Sequence, residues 1–519
     1  MTSHEWDDEA DVVVVGSGAA GLSAAYTAGR SGLDVVVLEK SAAFGGTTAY
    51  SGAGIWLPGN HIVREAGVED SVELGLEYLT VLVDGRTPEH LQRTYVETGP
   101  ELVRFLTDTS QWLRFIHTPF PDYFPGRGRF DLGRGLFPAP VERADLGEAV
   151  DHLRATVAVD TFGILDGHPA TTLVGGQALI GRFLRALADL DTVDLRRTSP
   201  VTGIIEADGE VTGVVVDSPE GARRIRARRG VILAAGGFEA DADARRERHD
   251  IPGSDWTAGP VGVNTGEMIT AGMDLGADSD LLDEAWWMPA VLFPNGHSAF
   301  AVGLQDGIFV GPDGKRFANE LQPYDRMGHA LKAYYEERGG YQRVWWILDS
   351  RHQIPPSFMQ PSPDEQAFRE AGLWVSADSA AELAELIGVP ADALVATLER
   401  YDADAAAGVD TEFHRAEDPY DLFFVRFDRA RALHPLDQPP LYAVQIVLGD
   451  LGTKGGLRID EDARVVRADG TPIAGLYAAG NTAANVTGAI YPGPGAPIGT
   501  GMVWGYRAAR HLAGVAAPA

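Results

Sequence analysis

Apolar positions along the chain fall into a few distinct textures. Val12–Val15 is a short β-branched run, as a strand buried on both faces requires. Ala19–Arg30 reads as a helix, and Val35–Leu38 repeats the buried-strand texture. Residues 70–118 carry helical patterns, including EHLQRTYVETGPELVRFL, and GGQALIGRFLRALADL at 175–190 is an amphipathic helix. Residues 195–237 read as consecutive strands. VTGVVV alternates, DGE and PEG are turn signals, and the apolar VILAAGG at 231–237 predicts a strand rejoining a buried sheet. From about 284 aromatic and proline content rises through EAWWMPAVLFP, and mixed helices and strands run to about 450. GLYAAGN at 475–481 is a further strand ending in a glycine turn. A glycine-rich loop, with a turn over PIGTGM at 497–502, then enters a closing helix.

This order predicts an α/β chain. A Rossmann-like nucleotide-binding domain is assembled from both ends, residues 1–283 and 451–519, and an α+β catalytic domain is inserted over 284–450. The first unit carries the dinucleotide fingerprint in full: strand, glycines, helix, strand and terminal acid in order. Gly16 turns the chain, Gly18 lets the backbone approach a pyrophosphate, and Gly21 allows close helix–strand packing. The helix N-terminus at Ala19 and Ala20 suits a phosphate, and Glu39 stands where an acid takes ribose hydroxyls.

Three features favour FAD over NAD. The FGGTTAYSG loop after Glu39 is placed to follow an extended cofactor, and the strands ending at AAGG and GLYAAGN return to the same nucleotide twice. The turn at PIGTGM leads into a helix whose amides suit a reduced, anionic flavin. The expected cofactor contacts are therefore Gly16, Gly18, Ala19, Ala20, Gly21, Glu39, Lys40, Ser41, Gly45, Gly46, Thr47, Thr48, Ser51, Gly52, Ala235, Gly236, Gly480, Asn481, Pro497 and Ile498. FAD is expected to be non-covalent, because the chain has no cysteine and no histidine in a recognised attachment motif.

Composition removes several classes. A chain of 519 residues is too long for one core. A formal charge of −31 argues against nucleic acid and against charge-driven adhesion to anionic membrane. A hydrophobic patch remains a separate route to a membrane surface. No window approaches 18 uninterrupted apolar residues, and MTSHEWDDEAD lacks the apolar core of a secretory signal. A cytoplasmic location, with peripheral membrane contact left open, is the expectation. The 13 histidines show no metal-site spacing and no Gly-x-Ser-x-Gly elbow occurs, so neither a metal site nor a hydrolase is expected.

The strings GSGAAG, GGTTAYSG, FPDYF, GGQALIGRFL, VILAAGGFE, NTGEMITAGMDLGA, LLDEAWWMP, GKRFANE, GDLGTKGGL and YPGPG run nearly end to end. Together they resemble the FAD-dependent fumarate reductase/succinate dehydrogenase flavoprotein superfamily, and within it the 3-ketosteroid Δ1-dehydrogenases. LDEAWW, GDLGTKGGL and YPGPG are the specific part of the likeness. In fumarate reductases an arginine follows the Asn-Glu pair by five residues. Here Tyr324 takes that position after Asn319-Glu320, and Arg326 is out of register. A phenol in place of a guanidinium suits a neutral, apolar substrate.

The resemblance implies desaturation across carbons 1 and 2 of a 3-ketosteroid A-ring, with a substrate such as 4-androstene-3,17-dione. A hydride leaves carbon 1 for the flavin and a proton leaves carbon 2. It implies that the Tyr491 hydroxyl and the Gly495 N–H polarise the ketone, that Tyr324 is the base, and that Tyr123 assists it. Ser51, Phe120 and Phe300 are expected in the substrate wall, and a quinone is the external electron acceptor the family suggests. By physics alone the 15 tyrosines are ordinary packing residues, as is Trp286-Trp287. The loop GRGRFDLGRG at 126–135 and Ala496-Pro497 depart from the pattern, where substrate preference can change. Competing readings are a 4-ene-forming 3-oxo-5α-steroid dehydrogenase, a fumarate- or urocanate-type reductase, and a flavin carrier without turnover.

Overall fold

The structure, a computed structural model, describes residues 6–165, 169–218, 221–300, 306–351 and 364–515. The valine run forms the buried end of β1 (Asp8–Val15) and leads through α1 (Ala19–Arg30) to β2 (Val35–Leu38). The two strands pair in parallel, Val12 with Val35 through Val15 with Leu38. The helical patterns of residues 70–118 become helices Val72–Val83 and Glu89–Thr109. α2 (Gly175–Ala188) precedes β3 (Val193–Arg196), β4 (Val201–Ala207), β5 (Glu210–Val216) and β6 (Arg223–Leu233). Pro219 and Glu220 of the PEG turn lie outside the described residues.

The chain then builds a second sheet from β7 (Ala285–Leu292), β8 (Ser298–Phe300) and β9 (Ile308–Val310). After α3 (Tyr324–Glu336) come β10 (Val344–Leu348), β11 (Trp374–Ala377), the short α4 (Pro419–Phe423) and the long β12 (Leu441–Thr453). All its pairings are antiparallel, in the order β8–β7–β12–β10–β9 with β11 also on β12. β13 (Arg464–Val466) and β14 (Pro472–Ala478) return to the first sheet, and α5 (Ala496–Leu512) ends the described fold.

The first sheet thus takes strands from both ends of the chain. Its parallel core runs β3–β2–β1–β6–β14, with Val13 beside Val231 and Val231 beside Leu476. β4, β5 and β13 add antiparallel edges. α5 lies against α1 so closely that a Cβ on Gly505 would stand 2.3 Å from Ala20 O. Two expectations change. Residues read as a loop at Gly46–Tyr50 wind into a 3-10 turn. PIGTGM, read as a turn, lies inside α5, because Pro497 is tolerated in a first turn where its missing N–H has no intrahelical partner.

Candidate active site

The fingerprint glycines each have a distinct physical role. Gly16 has φ +103, and a Cβ there would stand 2.2 Å from Ala234 O. A Cβ on Gly21 would stand 2.0 Å from Gly16 O, so glycine lets α1 sit on the turn. Gly18 instead meets only Thr48 Oγ1, at 3.6 Å, and caps α1 without a side-chain bond. Its free face opens into a cavity of about 520 Å³. At the end of β2, Glu39 accepts from Ser17 Oγ at 2.6 Å and from Ser41 N at 2.8 Å, which fixes its carboxylate on the wall. This open helix N-terminus, glycine cradle and terminal acid fit an adenine dinucleotide.

The cavity continues from this cradle past Thr48, Ser51 and Ile498 to a cluster of phenols. Tyr123, Tyr324 and Tyr491 come from a loop, the first residue of α3 and the YPGPG loop, and all three line it. The Tyr123 ring centroid is 5.2 Å from that of Tyr324 and 5.2 Å from that of Tyr491, and Tyr324 and Tyr491 are 5.5 Å apart. Phe300 packs edge-on against Tyr324 at 4.8 Å. Gly495 N–H donates to Tyr491 Oη at 3.3 Å, so these two groups converge on one point of the wall. Gly495 has φ +94, and a Cβ would collide with Gly54 at 1.9 Å.

The YPGPG loop is held from several sides. Lys454 Nζ donates to Ile490 O at 2.5 Å. Pro492 O accepts from Tyr78 Oη at 2.9 Å and Tyr123 N at 3.0 Å, and Gly495 O accepts from Trp56 N at 3.2 Å. Trp286 is fully buried behind Tyr491, 5.0 Å away, with Lys454 Nζ 4.0 Å from its ring. Burial pushes the Tyr491 phenol up to about 12, while the Tyr324 hydroxyl and the Gly495 amide act against that rise. Burial also pushes Tyr123 and Tyr324 well above the ordinary phenol value, and Tyr123 acts against the rise at Tyr324. Tyr123 Oη is buried and makes no hydrogen bond in the structure.

Residues 11–498 match the FAD binding domain family. The 3-oxosteroid 1-dehydrogenase of Mycolicibacterium smegmatis is 36% identical, over 100% of this chain and 99% of its own length. The chain belongs to the 3-oxosteroid 1-dehydrogenase family. The 4-oxocyclohexanecarboxylate 2-dehydrogenase of Sinomonas cyclohexanicum is 35% identical, over 98% of this chain and 93% of its own. Among solved structures, the 3-ketosteroid Δ1-dehydrogenase of Sterolibacterium denitrificans in complex with 1,4-androstadiene-3,17-dione superposes with a TM-score of 0.89. It is 31% identical, and the match covers 98% of this chain and 100% of that one. The fold is accordingly a Rossmann-like FAD-binding unit built from both chain ends with an inserted α+β unit, and FAD is the cofactor of the family.

Within that frame most expected contacts stand on the cavity wall. Gly16, Gly18, Ala19, Ala20, Glu39, Lys40, Gly46, Thr47, Thr48, Ser51, Gly52, Ala235, Gly236, Gly480, Asn481, Pro497 and Ile498 line it, as do Phe120, Phe300, Tyr123, Tyr324, Tyr491 and Gly495. Gly21, Ser41 and Gly45 stand behind it. Gly21 is spent on packing, Ser41 on Glu39, and Gly45 N–H on Ser17 Oγ at 3.0 Å. Arg326 is not on the wall; its guanidinium lies 5.6 Å over Phe124. Lys40 is the one lysine or arginine among the described lining residues, and it sits at the Glu39 end.

Sequence reasoning missed three contributors. Asn264 lines the cavity and donates to Thr47 Oγ1 at 3.0 Å and to buried Glu239 at 2.6 Å. Tyr420 packs edge-on to Tyr123 at 5.4 Å from a different unit of the fold. Lys454 steadies the YPGPG loop from below. The only available signals were an isolated Asn, one tyrosine among 15, and a lysine inside a motif valued for its glycines.

Proposed function

We propose that this chain desaturates the A-ring of a 3-ketosteroid between carbons 1 and 2, with Tyr324 as the base. The observation that carries the reading is the convergence of three phenols and one backbone N–H on an apolar chamber continuous with the glycine cradle. Bound FAD supplies a two-electron acceptor for the hydrogen of carbon 1. The Tyr491 hydroxyl and the Gly495 N–H, now bonded to each other, are the polarising pair. A ketone oxygen accepting from both replaces that one bond with two, and the proton on the adjacent carbon becomes more acidic. Tyr324 Oη takes this proton. Burial works against that role, and Tyr123 lowers the barrier by favouring the Tyr324 phenolate. An external acceptor, a quinone by family resemblance, takes the electrons.

The wall also supports a substrate class. Phe120, Phe300 and Leu451 are apolar, and among the described lining residues no lysine or arginine stands at the phenol end; Lys454 lies behind the wall, on Ile490 O. Such a wall accepts a neutral polycyclic ketone and gives no ion-pair partner to a carboxylate. The identity to the Sinomonas protein keeps a carboxylated oxocyclohexane as the second reading. The test is anaerobic mixing of the FAD-loaded protein with 4-androstene-3,17-dione while the flavin absorbance is followed. Bleaching with formation of the 1,4-diene is expected. Tyr324→Phe should keep the flavin spectrum and lose the bleaching; normal bleaching by that variant removes Tyr324 as base. Bleaching by 4-oxocyclohexanecarboxylate and by no 3-ketosteroid establishes the second reading.

A further inference from the structure

We propose that the rim of the cavity docks on an anionic lipid bilayer, so that an apolar substrate enters the site from the membrane. The inference rests on the substrate class proposed above. Phe120 marks the rim, because it lines the cavity and also joins two surface segments. Its N–H donates to Leu132 O at 3.3 Å, and its ring is 5.0 Å from Phe423 and 5.5 Å from Phe424. Both segments present a large apolar side chain to solvent: Leu132 and Phe427 are each 57% exposed. Ile116, 42% exposed, pairs across a strand with Phe137, another cavity residue. Exposed apolar groups scattered singly need no explanation, but these three lie on the segments that frame one opening.

The backbone under Phe427 points the same way. Arg426 has φ 58 and Phe427 has φ 61, two consecutive left-handed residues with neither a glycine nor an asparagine. Bulky side chains adopt this conformation only at a cost. Folding alone gives no reason to keep an aromatic at a strained, solvent-facing position.

Charge identifies the partner. Arg426, Arg429 and Arg431 are all exposed, and none forms an ion pair among the described residues. Asp428, the acid among them, accepts from Ala430 N at 3.1 Å and offsets one of the three charges. Asp131 beside Leu132 is paired with Arg129 at 3.1 Å, so these three arginines against Asp428 leave residues 426–431 locally basic on a chain of net charge −31. Whole-chain charge disfavours an anionic surface, yet screening within about 8–10 Å lets the nearest arginines dominate. Basic residues beside exposed apolar ones suit anionic headgroups over an acyl layer.

The test uses the FAD-loaded protein and phosphatidylcholine vesicles with and without phosphatidylglycerol, read by co-sedimentation. The wild type should sediment with the phosphatidylglycerol vesicles, less at high salt, and remain in solution with phosphatidylcholine alone. Leu132→Ser with Phe427→Ser should weaken this partition about tenfold, as should Arg426→Glu with Arg429→Glu and Arg431→Glu. Each variant should keep the flavin spectrum and the bleaching rate with dissolved substrate. Wild-type protein left in solution, equal binding to both vesicle types, or unchanged partition of both variants overturns the proposal. Bleaching by dissolved substrate reports on the reaction itself, so failure of docking and failure of the functional reading are distinguishable.

Discussion

Tyr491 shows how much one side chain must do. Its hydroxyl shares a point with the Gly495 N–H, and its ring is wedged between Trp286 and Tyr123. Tyr491→Phe keeps the ring and its packing and removes one of two donors from the ketone. A donor of this kind is worth about 2.7–4 kcal/mol, or roughly a hundredfold to a thousandfold in rate. The single-turnover bleaching rate should fall by that factor with the flavin spectrum intact, and a rate within twofold of wild type would take Tyr491 out of the polarising role. Local physics does not distinguish this tyrosine from the other 14, and only the YPGPG likeness singled it out; Tyr123, Tyr324 and Tyr491 stand far apart in the chain and only the fold makes them neighbours. The fingerprint glycines were legible for the opposite reason. Turn, approach and packing are all settled within a few residues of backbone.

At the level of elements, α4 depends on a single acid. Asp418 accepts from Tyr420 N at 2.8 Å, which caps the helix. The same carboxylate takes both Arg129 nitrogens, each at 2.7 Å, and so ties α4 to the loop that carries Tyr123. Arg129 pulls the Asp418 carboxyl below its usual value against the opposing effect of burial. Across this clasp Phe120, Tyr420, Phe423 and Phe424 pack together over the phenols. Asp418→Asn should separate the two roles, since asparagine caps a helix as well as aspartate but cannot pair with a guanidinium. Losing a charged hydrogen bond at this half-buried site costs about 1.5 kcal/mol, roughly tenfold. The fold should lose up to that amount in a denaturant titration, and substrate Kd, read from the flavin spectrum, should rise by up to about tenfold as the loop loosens; an unchanged Kd would make the clasp irrelevant to binding. The loop's glycines and aromatics suggested a pocket wall, but the sequence could not name Asp418 as its anchor, because that partner is brought from 289 residues away.

Across the whole molecule, four ionisable side chains gather where the chain enters and leaves the inserted unit. Glu284 precedes β7, Lys454 follows β12, and Asp325 and His329 face them from α3. Both Asp325 carboxylate oxygens are buried without a hydrogen bond; His329 Nδ1 lies 3.5 Å from one of them, and His329 Nε2 lies 3.4 Å from Glu284 Oε2. Burial alone would lower the His329 value, but Asp325 and then Glu284 outweigh it and raise it to about 10. Burial lowers Lys454 to about 8, with Asp325 and Glu284 opposing. The imidazolium therefore contributes stability that is complete below the unfolded value of about 6.5 and is lost as pH rises through about 10. Lys454 has the opposite sign: its folded value is depressed, so its contribution grows between about 8 and 10.5. Comparing wild type with His329→Gln cancels the lysine, which both proteins share. The wild type should be more stable than the variant by a few kcal/mol at pH 6, and the gap should close by pH 10. Denaturant midpoints at the two pH values measure it. A gap that stays constant between the two pH values would mean that His329 does not carry the charge assigned to it in the folded protein.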